Sequence, residues 1–347
     1  MEFERLLAAW DGEHAVVRFD EASGAWMFVC VHSTTLGPAG GGTRLRVYDA
    51  PADGLADGLR LSRAMTQKMA AAGLPRGGGK AVLAVPALPQ GAARRELLLR
   101  YGELVASLGG SYRTAGDMNI SPADLDVVAE RCPWVYGTTG GAGNSGRGTA
   151  RGVLHGIRAT VEHAFGSPEL AGRRVLVQGC GAVGAGLARA LAEEGADVLV
   201  SDVDEGRARA TGLEVVAPGD VFDVECDVHA PWAVGGTLNA ETIPRLRCRA
   251  VAGCANNQLA EPEDAVRLHE RGILYAPDFV INAGGVIQLV GLEDEGWDEA
   301  RLEQALAGVG DTLRELYRES ERDGVTPETA AERLVERRLA ASGRPAA

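Results

Sequence analysis

The sequence predicts an α/β protein of two domains. Three observations carry that expectation. At 347 residues the chain is long enough to bury two separate cores. Between Gly137 and Gly148 the composition shifts abruptly to glycine and small polar residues, centred on Gly140-Gly141-Ala142-Gly143-Asn144-Ser145-Gly146, which marks a boundary or hinge. Beyond it, the apolar strand Arg174–Gln178 runs into Gly179-Cys180-Gly181-Ala182-Val183-Gly184, a helix to about Glu194, and a second strand, Asp197–Ser201, that ends at Asp202. Alone, G-x-G-x-x-G is weak evidence. Between a strand and a helix, with an acid closing the next strand, it is the start of a Rossmann sheet.

Bulk composition narrows the classes. Hydrophobic content of 46% with charged content of 24% is ordinary for a soluble globular chain, and the 47 glycines fall in discrete clusters. A formal net charge of −13 disfavours nucleic acid and anionic membrane as partners. The six cysteines are scattered without a C-x-x-C pair, and the six histidines contain no H-E-x-x-H. Reduced thiols in a cytoplasmic protein are expected, with no metal site. Met-Glu-Phe-Glu-Arg is too polar to begin a signal peptide, and no run approaches a membrane span.

In chain order, His14–Phe19 and Ala25–His32 read as a hairpin around Asp20–Gly24. Leu36–Arg44 reads as a glycine-dense turn. A helix follows from about Asp53 to Ala72, with Leu55, Leu59, Met65 and Met69 as its buried stripe and Gly73 ending it. Lys68 sits in its last turn, where a cation suits the macrodipole and needs no further role. Gly77-Gly78-Gly79 then leads to Lys80, which opens the apolar strand Lys80–Val85. Glycines before a lysine resemble a phosphate-binding P-loop, but Leu74 and Ala81 stand where that motif needs glycine and Ser or Thr. These glycines therefore serve another ligand, to which the backbone can come close.

Ala92–Leu108 is a further helix. Tyr112–Ile120 is a short strand running into a loop, and Ser121-Pro122 caps the next helix, leaving Asp117 unneeded by the cap. Thr149–Phe165 is helical. In the second half, Gly179–Gly184 offers backbone N–H groups and a helix N-terminus to a pyrophosphate. Asp202, followed by Val203-Asp204-Glu205 with no arginine, suits free ribose hydroxyls and predicts NAD over NADP. Further strands, Asp227–Ala230, Arg249–Gly253 and Ile273–Ala276, bring their ends to the ligand crevice. Ala230 and Pro231, Asn256 and Asn257, and Asn282 are candidate contacts there. Asp298–Glu321 is an amphipathic helix with Leu302, Leu306, Val309, Leu313 and Leu316 on one face; Thr326-Pro327-Glu328 caps a last helix ending near Ala341.

Taken together, these motifs resemble the Glu/Leu/Phe/Val amino-acid dehydrogenase family, in its phenylalanine/leucine/valine branch. Leu36-Gly37-Pro38, Gly41-Gly42-Thr43-Arg44, the Lys68 helix, Gly77–Lys80, Asp117, Gly179–Gly184, Ala255-Asn256-Asn257 and Pro277-Asp278 through Gly285 stand in family order across almost the whole chain. The resemblance implies two domains separated by a cleft. Residues 1–136 would form an α/β substrate and oligomerisation domain, with the C-terminal helix near 326–347 packed back on it. Residues 137–325 would form the NAD-binding Rossmann domain, and the protein would be a homo-oligomer. Cleft closure would exclude water from the reaction.

The same resemblance implies reversible oxidative deamination of an L-amino acid to its 2-oxo acid and ammonia. Lys68 and the Gly41–Gly42 backbone would hold the substrate carboxylate, Lys80 would be the neutral base that activates water, and Asp117 would shuttle protons at the nitrogen. A buried lysine beside a second cation should have a lowered pKa, as that role needs. Thr149 and Asn256 would lie near the nicotinamide. A lysine that binds the distal carboxylate in glutamate-specific relatives is replaced by Gly40, which disfavours glutamate. The other pocket positions, Ala115, Val286 and Leu289, are apolar. Ala115 and Val286 look leucine-type, whereas Gly40 and Leu289 look phenylalanine-type, which slightly favours phenylalanine over leucine and valine. Asn119-Ile120, Trp232, Cys254 and Ser145–Gly148 depart from the branched-chain pattern. Two alternatives follow: reductive amination or imine reduction of an unusual apolar oxo acid, and a non-catalytic NAD-binding protein.

Overall fold

The computed structural model describes residues 2–342. The chain divides into two compact units. Unit 1 holds the chain up to Ser145, Leu289–Trp297 and the chain from Val335; unit 2 holds Gly146–Gln288 and Asp298–Leu334.

Unit 1 begins with α1 (Glu2–Ala8), the hairpin β1 (His14–Asp20) and β2 (Ala25–Ser33), and β3 (Ala39–Arg46). It continues with α2 (Pro51–Ala71), β4 (Gly77–Ala84), α3 (Gly91–Ala106), β5 (Tyr112–Gly116) and α4 (Pro122–Ala129). The sheet order is β1-β2-β4-β3-β5. β1–β2 and β2–β4 pair antiparallel, and β3 pairs parallel with both β4 and β5. All eight residues of β4 are buried because both faces of the sheet are covered. Side chains alternate between the faces: Met27, Val29, Val31, Ala81 and Leu83 join α3 and α4, whereas Phe28, Cys30, Val82 and Ala84 pack with Leu55 and Leu59 of α2. Lys80, two residues before Val82, shares the α2 face.

Three local expectations change. Leu36–Arg44 is not a turn throughout, since Ala39–Arg46 is a buried strand. Gly77–Gly79 likewise lie inside β4 rather than ahead of it. The reason is close packing. A Cβ on Gly41 would overlap the Gly79 carbonyl oxygen, and one on Gly78 would overlap the Thr66 backbone nitrogen in α2. The hairpin loop is also shorter than expected, because Asp20 pairs with Ala25. The start and stop signals hold: Gly73 follows α2 at φ 67°, and the Ser121 hydroxyl accepts from the Asp124 N–H at 3.2 Å with Pro122 beside it.

Unit 2 opens with α5 (Gly146–Phe165), followed by β6 (Arg174–Gln178), α6 (Ala182–Glu193) and β7 (Asp197–Ser201). Next come α7 (Glu205–Arg209), β8 (Glu214–Val215), β9 (Val228–Pro231), β10 (Ala250–Val251), α8 (Glu263–Glu270), β11 (Leu274–Tyr275) and α9 (Asp278–Ile281). Its sheet is wholly parallel in the order β11-β10-β9-β6-β7-β8. The strands step outward from β6 in both directions, so the order reverses beside the Gly179–Gly184 turn, where a doubly wound sheet binds its ligand. α10 (Gly284–Glu293) begins in unit 2 and ends in unit 1. α11 (Glu299–Asp323) buries Leu302, Leu306, Val309, Leu313 and Leu316 as its 3.6-residue pattern requires. α12 (Pro327–Ala341) is capped by Thr326, and residues 343–347 of the expected terminal helix lie outside the described residues.

Candidate active site

Lys80 is 5% exposed, and its Nζ lies 3.2 Å from Oδ2 of Asp117. β4 fixes the lysine, and the end of β5 delivers the aspartate. The Arg44 Nε donates to the same Asp117 oxygen at 2.9 Å, while its Nη1 donates to Asp57 at 2.8 Å. Tyr48 and Arg60 also donate to Asp57. Burial lowers the Lys80 pKa below that of an ordinary lysine; the Asp117 charge opposes this, and the Arg44 charge reinforces it. Burial alone would raise Asp117, but Lys80 and Arg44 outweigh it and hold the carboxyl down at about 2. Asp117 is therefore an anion at neutral pH. Lys80 is a lysine biased toward its neutral form.

The cation that helps to depress Lys80 is thus Arg44, where the sequence alone predicted a second cation without naming it. Arg44 and Asp57 were both missed there. The available signal was Arg44 itself, two residues after Gly42 on a strand and so on the same face. Lys68 is half-buried in the last turn of α2, on the helix that covers the Lys80 face. Gly41 accepts a hydrogen bond at its carbonyl from the Tyr112 hydroxyl, 2.7 Å away. Gly42 lies against Asp117, where an added Cβ would come within 2.9 Å of the aspartate Cβ.

The expected pocket positions of unit 1 fall nearby. Gly40 and Ala115 are buried on β3 and β5, and Ala115 pairs with Gly42. A cavity of about 240 Å³ is lined by Asp117, Ile120, Leu125, Gly137 and Leu289 among others, so a charged residue and an expected specificity residue face one space. Leu289 is buried on α10, and Val286 is half-buried one turn earlier on that helix.

In unit 2 the glycine turn meets the demands of a dinucleotide site. Gly179 has φ 123°, which side chains avoid. A Cβ on Gly184 would overlap the Gly179 carbonyl, so that glycine lets α6 pack close. Nothing lies within 4 Å of a Cβ position on Gly181, which leaves room for a phosphate beside the start of α6. Cys180 is a buried thiol in this turn, and Ala182 and Val183 begin the helix. Asp202 ties the turn to β7: its Oδ2 accepts from the Cys180 N–H at 2.7 Å and its Oδ1 from the Asp204 N–H at 2.8 Å. Each oxygen keeps a second lone pair for a ribose hydroxyl.

Ala230 and Pro231 are buried at the end of β9, and the Pro231 carbonyl accepts from the Ala255 N–H at 2.9 Å. Asn282 donates to the Cys254 carbonyl at 3.0 Å and to Oδ1 of Asn256 at 2.9 Å. Those contacts bring two of the expected asparagines together. The Asn282 Oδ1 is buried with no hydrogen-bond partner, an acceptor that an amide NH₂ could satisfy. Thr149 stands in the first turn of α5, its Cα 3.2 Å from a Cβ position on Gly284, two residues beyond Asn282. The turn, the acid and the orphaned acceptor fit a nicotinamide dinucleotide. Among the described residues, no cluster of histidine, cysteine, aspartate or glutamate could hold a metal ion, and no helix is long and apolar enough to cross a membrane.

Known proteins resemble this chain over most of its length. Residues 17–138 match the Glu/Leu/Phe/Val dehydrogenase, dimerisation domain, and residues 200–341 match Glutamate/Leucine/Phenylalanine/Valine dehydrogenase. The chain belongs to this family. It is similar to leucine dehydrogenase of Geobacillus stearothermophilus, with 40% identity over 346 residues, covering 98% of this chain and 94% of the relative. It is also similar to valine dehydrogenase of Streptomyces albus, with 45% identity over 338 residues, covering 94% and 92%. Among solved structures, L-tryptophan dehydrogenase from Nostoc punctiforme superposes with a TM-score of 0.82 at 38% identity, covering 99% of this chain and all of that one. This dehydrogenase is accordingly an oxidoreductase acting on CH–NH₂ donors of amino acids with a nicotinamide cofactor. Its two units carry the mixed-sheet and parallel-sheet domains of the family.

Proposed function

We propose that this dehydrogenase deaminates a hydrophobic L-amino acid oxidatively and reversibly, with NAD as acceptor, and that phenylalanine is slightly favoured over leucine and valine. The observation that carries the mechanism is the ion pair of buried Lys80, its pKa depressed, with Asp117. Lys68 and the Gly41–Gly42 backbone hold the substrate carboxylate. When bound, the nicotinamide ring accepts the hydride that leaves the substrate Cα. Water then adds to the resulting iminium carbon while neutral Lys80 takes its proton. Anionic Asp117 relays that proton from Lys80 to the carbinolamine nitrogen, and as Lys80 takes the remaining hydroxyl proton the C–N bond breaks, with ammonia as the leaving group and the 2-oxo acid remaining. Arg44 holds the Asp117 carboxylate where it meets Lys80.

Cofactor choice rests on Asp202, whose anionic carboxylate at the end of β7 accepts from ribose hydroxyls and repels a 2′-phosphate. Gly179–Gly184 would hold the pyrophosphate, and Asn282 with Asn256 and Thr149 the nicotinamide side. Substrate choice rests on Gly40, Ala115, Val286 and Leu289, which offer no cation for a distal carboxylate. One methylene in such a pocket is worth roughly 1–3 kcal/mol, so several apolar side chains should be accepted. The matched dimerisation domain supports a homo-oligomer. A panel of amino acids, read by NADH formation at alkaline pH, tests this reading. Turnover of phenylalanine, leucine or valine is expected, and absence of all three would overturn it.

A further inference from the structure

The strongest unassigned cluster in unit 1 is centred on Asp294. This carboxylate is 5% exposed and receives three donors: the Arg76 guanidinium at 2.5 Å, Arg113, and the Tyr136 hydroxyl. Arg76 Nε also donates to the Tyr136 hydroxyl oxygen at 3.2 Å, and the Arg113 guanidinium lies over the Tyr136 ring, 4.7 Å from its centre. Tyr136 is 2% exposed, so the ring is held from its tip and from one face. The neighbouring Glu293 accepts from the N–H groups of Gly137 and Ala142 at 2.9 and 2.7 Å. These bonds fasten the end of α10, and Leu289 with it, to the segment that carries Tyr136.

One pocket position lies against this ring and a second lies against the next residue, Gly137. A Cβ on Gly40 would meet Met69 Cε at 3.1 Å and Tyr136 Cε2 at 3.7 Å. Met69 and Tyr136 therefore stand where a larger residue at position 40 would project. One residue further along, a Cβ on Gly137 would meet Leu289 Cδ2 at 3.5 Å. Neither the glycine turns nor the lysines require an Arg–Arg–Asp cluster here. Burying such charges is costly, and in some proteins buried ionic groups serve to fix local geometry.

We propose that Tyr136 is a specificity-determining residue, its ring forming the wall between Gly40 and Leu289 that limits the substrate side chain, and that Asp294, Arg76 and Arg113 are its positioning residues. The inference deepens the proposed function and rests on it. Truncating the wall should enlarge the pocket in proportion to side-chain size. Loosening the clamp should blur the same preference without touching the Lys80–Asp117 pair.

The test measures kcat and KM of wild type, Tyr136→Leu, Tyr136→Phe and Asp294→Asn over valine, leucine, phenylalanine and tryptophan. Tyr136→Leu should shift the ratio of kcat/KM for tryptophan over valine about tenfold toward tryptophan, mainly through KM. Tyr136→Phe, which keeps the ring, should restore most of the wild-type ratio, and Asp294→Asn should move it about threefold in the Leu direction. Gly40→Ala, which narrows the same wall, should shift the ratio the opposite way and serves if Tyr136→Leu does not fold. Unchanged ratios in folded variants of an active enzyme would overturn this inference alone. Absence of any turnover by the wild type would strike the proposed function instead.

Discussion

Glycine does opposite work in the two units. In unit 1 the glycines of β3 and β4 are surrounded by protein: Gly41 lies against the Gly79 carbonyl and Gly78 against α2 at Thr66. In unit 2, Gly181 faces open space at the start of α6 while Gly179 and Gly184 shape the turn around it. The first set lets backbone meet backbone, so that Lys80 and Asp117 converge from adjacent parts of one sheet. The second leaves a gap that a phosphate can fill. Glycine content alone cannot separate these uses, because both demand the absence of a Cβ.

That contrast can be broken most severely at the chemistry. Lys80→Ala should reduce kcat roughly 10³-fold, within the usual range for loss of a general base, yet leave NADH binding to unit 2 intact by fluorescence titration. Because the folded lysine has a pKa below its ordinary 10.5 and must be neutral to act, wild-type kcat/KM should rise with pH through a pKa below 10.5. That rising limb should vanish in the variant. An unaltered profile would remove Lys80 from the base role.

Next in size is Gly41→Ala. Its methyl would overlap the Gly79 carbonyl, and the overpacking should cost about 3 kcal/mol, read as a lower urea midpoint. Gly181→Ala should do the reverse. Its φ of −61° is open to any residue and its Cβ meets nothing, so thermal stability should hold. NADH should nonetheless bind about tenfold more weakly, roughly 1.4 kcal/mol. If Gly181→Ala destabilised the fold while nucleotide affinity held, the contrast between the units would be wrong. The smallest effect is expected at Asp202→Asn, which keeps one acceptor but loses the charge. Discrimination of NAD from NADP should fall roughly threefold, about the worth of part of one hydrogen bond.

Much of this site was legible because its signals are local. The strand–Gly179–Gly184–helix unit, the acid at Asp202, the Ser121 cap and the stripe of α11 are each read within a few neighbouring residues. The readings that changed depend on residues far apart in sequence. Leu36–Arg44 has turn composition, and only packing against β4 and β5 makes Ala39–Arg46 a strand. Arg44 lies 73 positions from the aspartate it holds, and nothing local to either residue announces the bond. Asp294 meets Arg113 across 181 positions, so the cluster that holds Tyr136 has no local signature.

By itself, then, the sequence determined the α/β class and the strand–glycine turn–helix unit and singled out Lys80, Asp117 and Asp202 as candidates, since backbone propensity and short motifs act over a few residues. Tertiary structure decided which of them meet. It placed Arg44 as the second cation, buried Lys80 on the α2 face, and returned Leu289–Trp297 to unit 1. Burial and charge pairing depend on three-dimensional neighbours, and those neighbours lower the pKa of the candidate base.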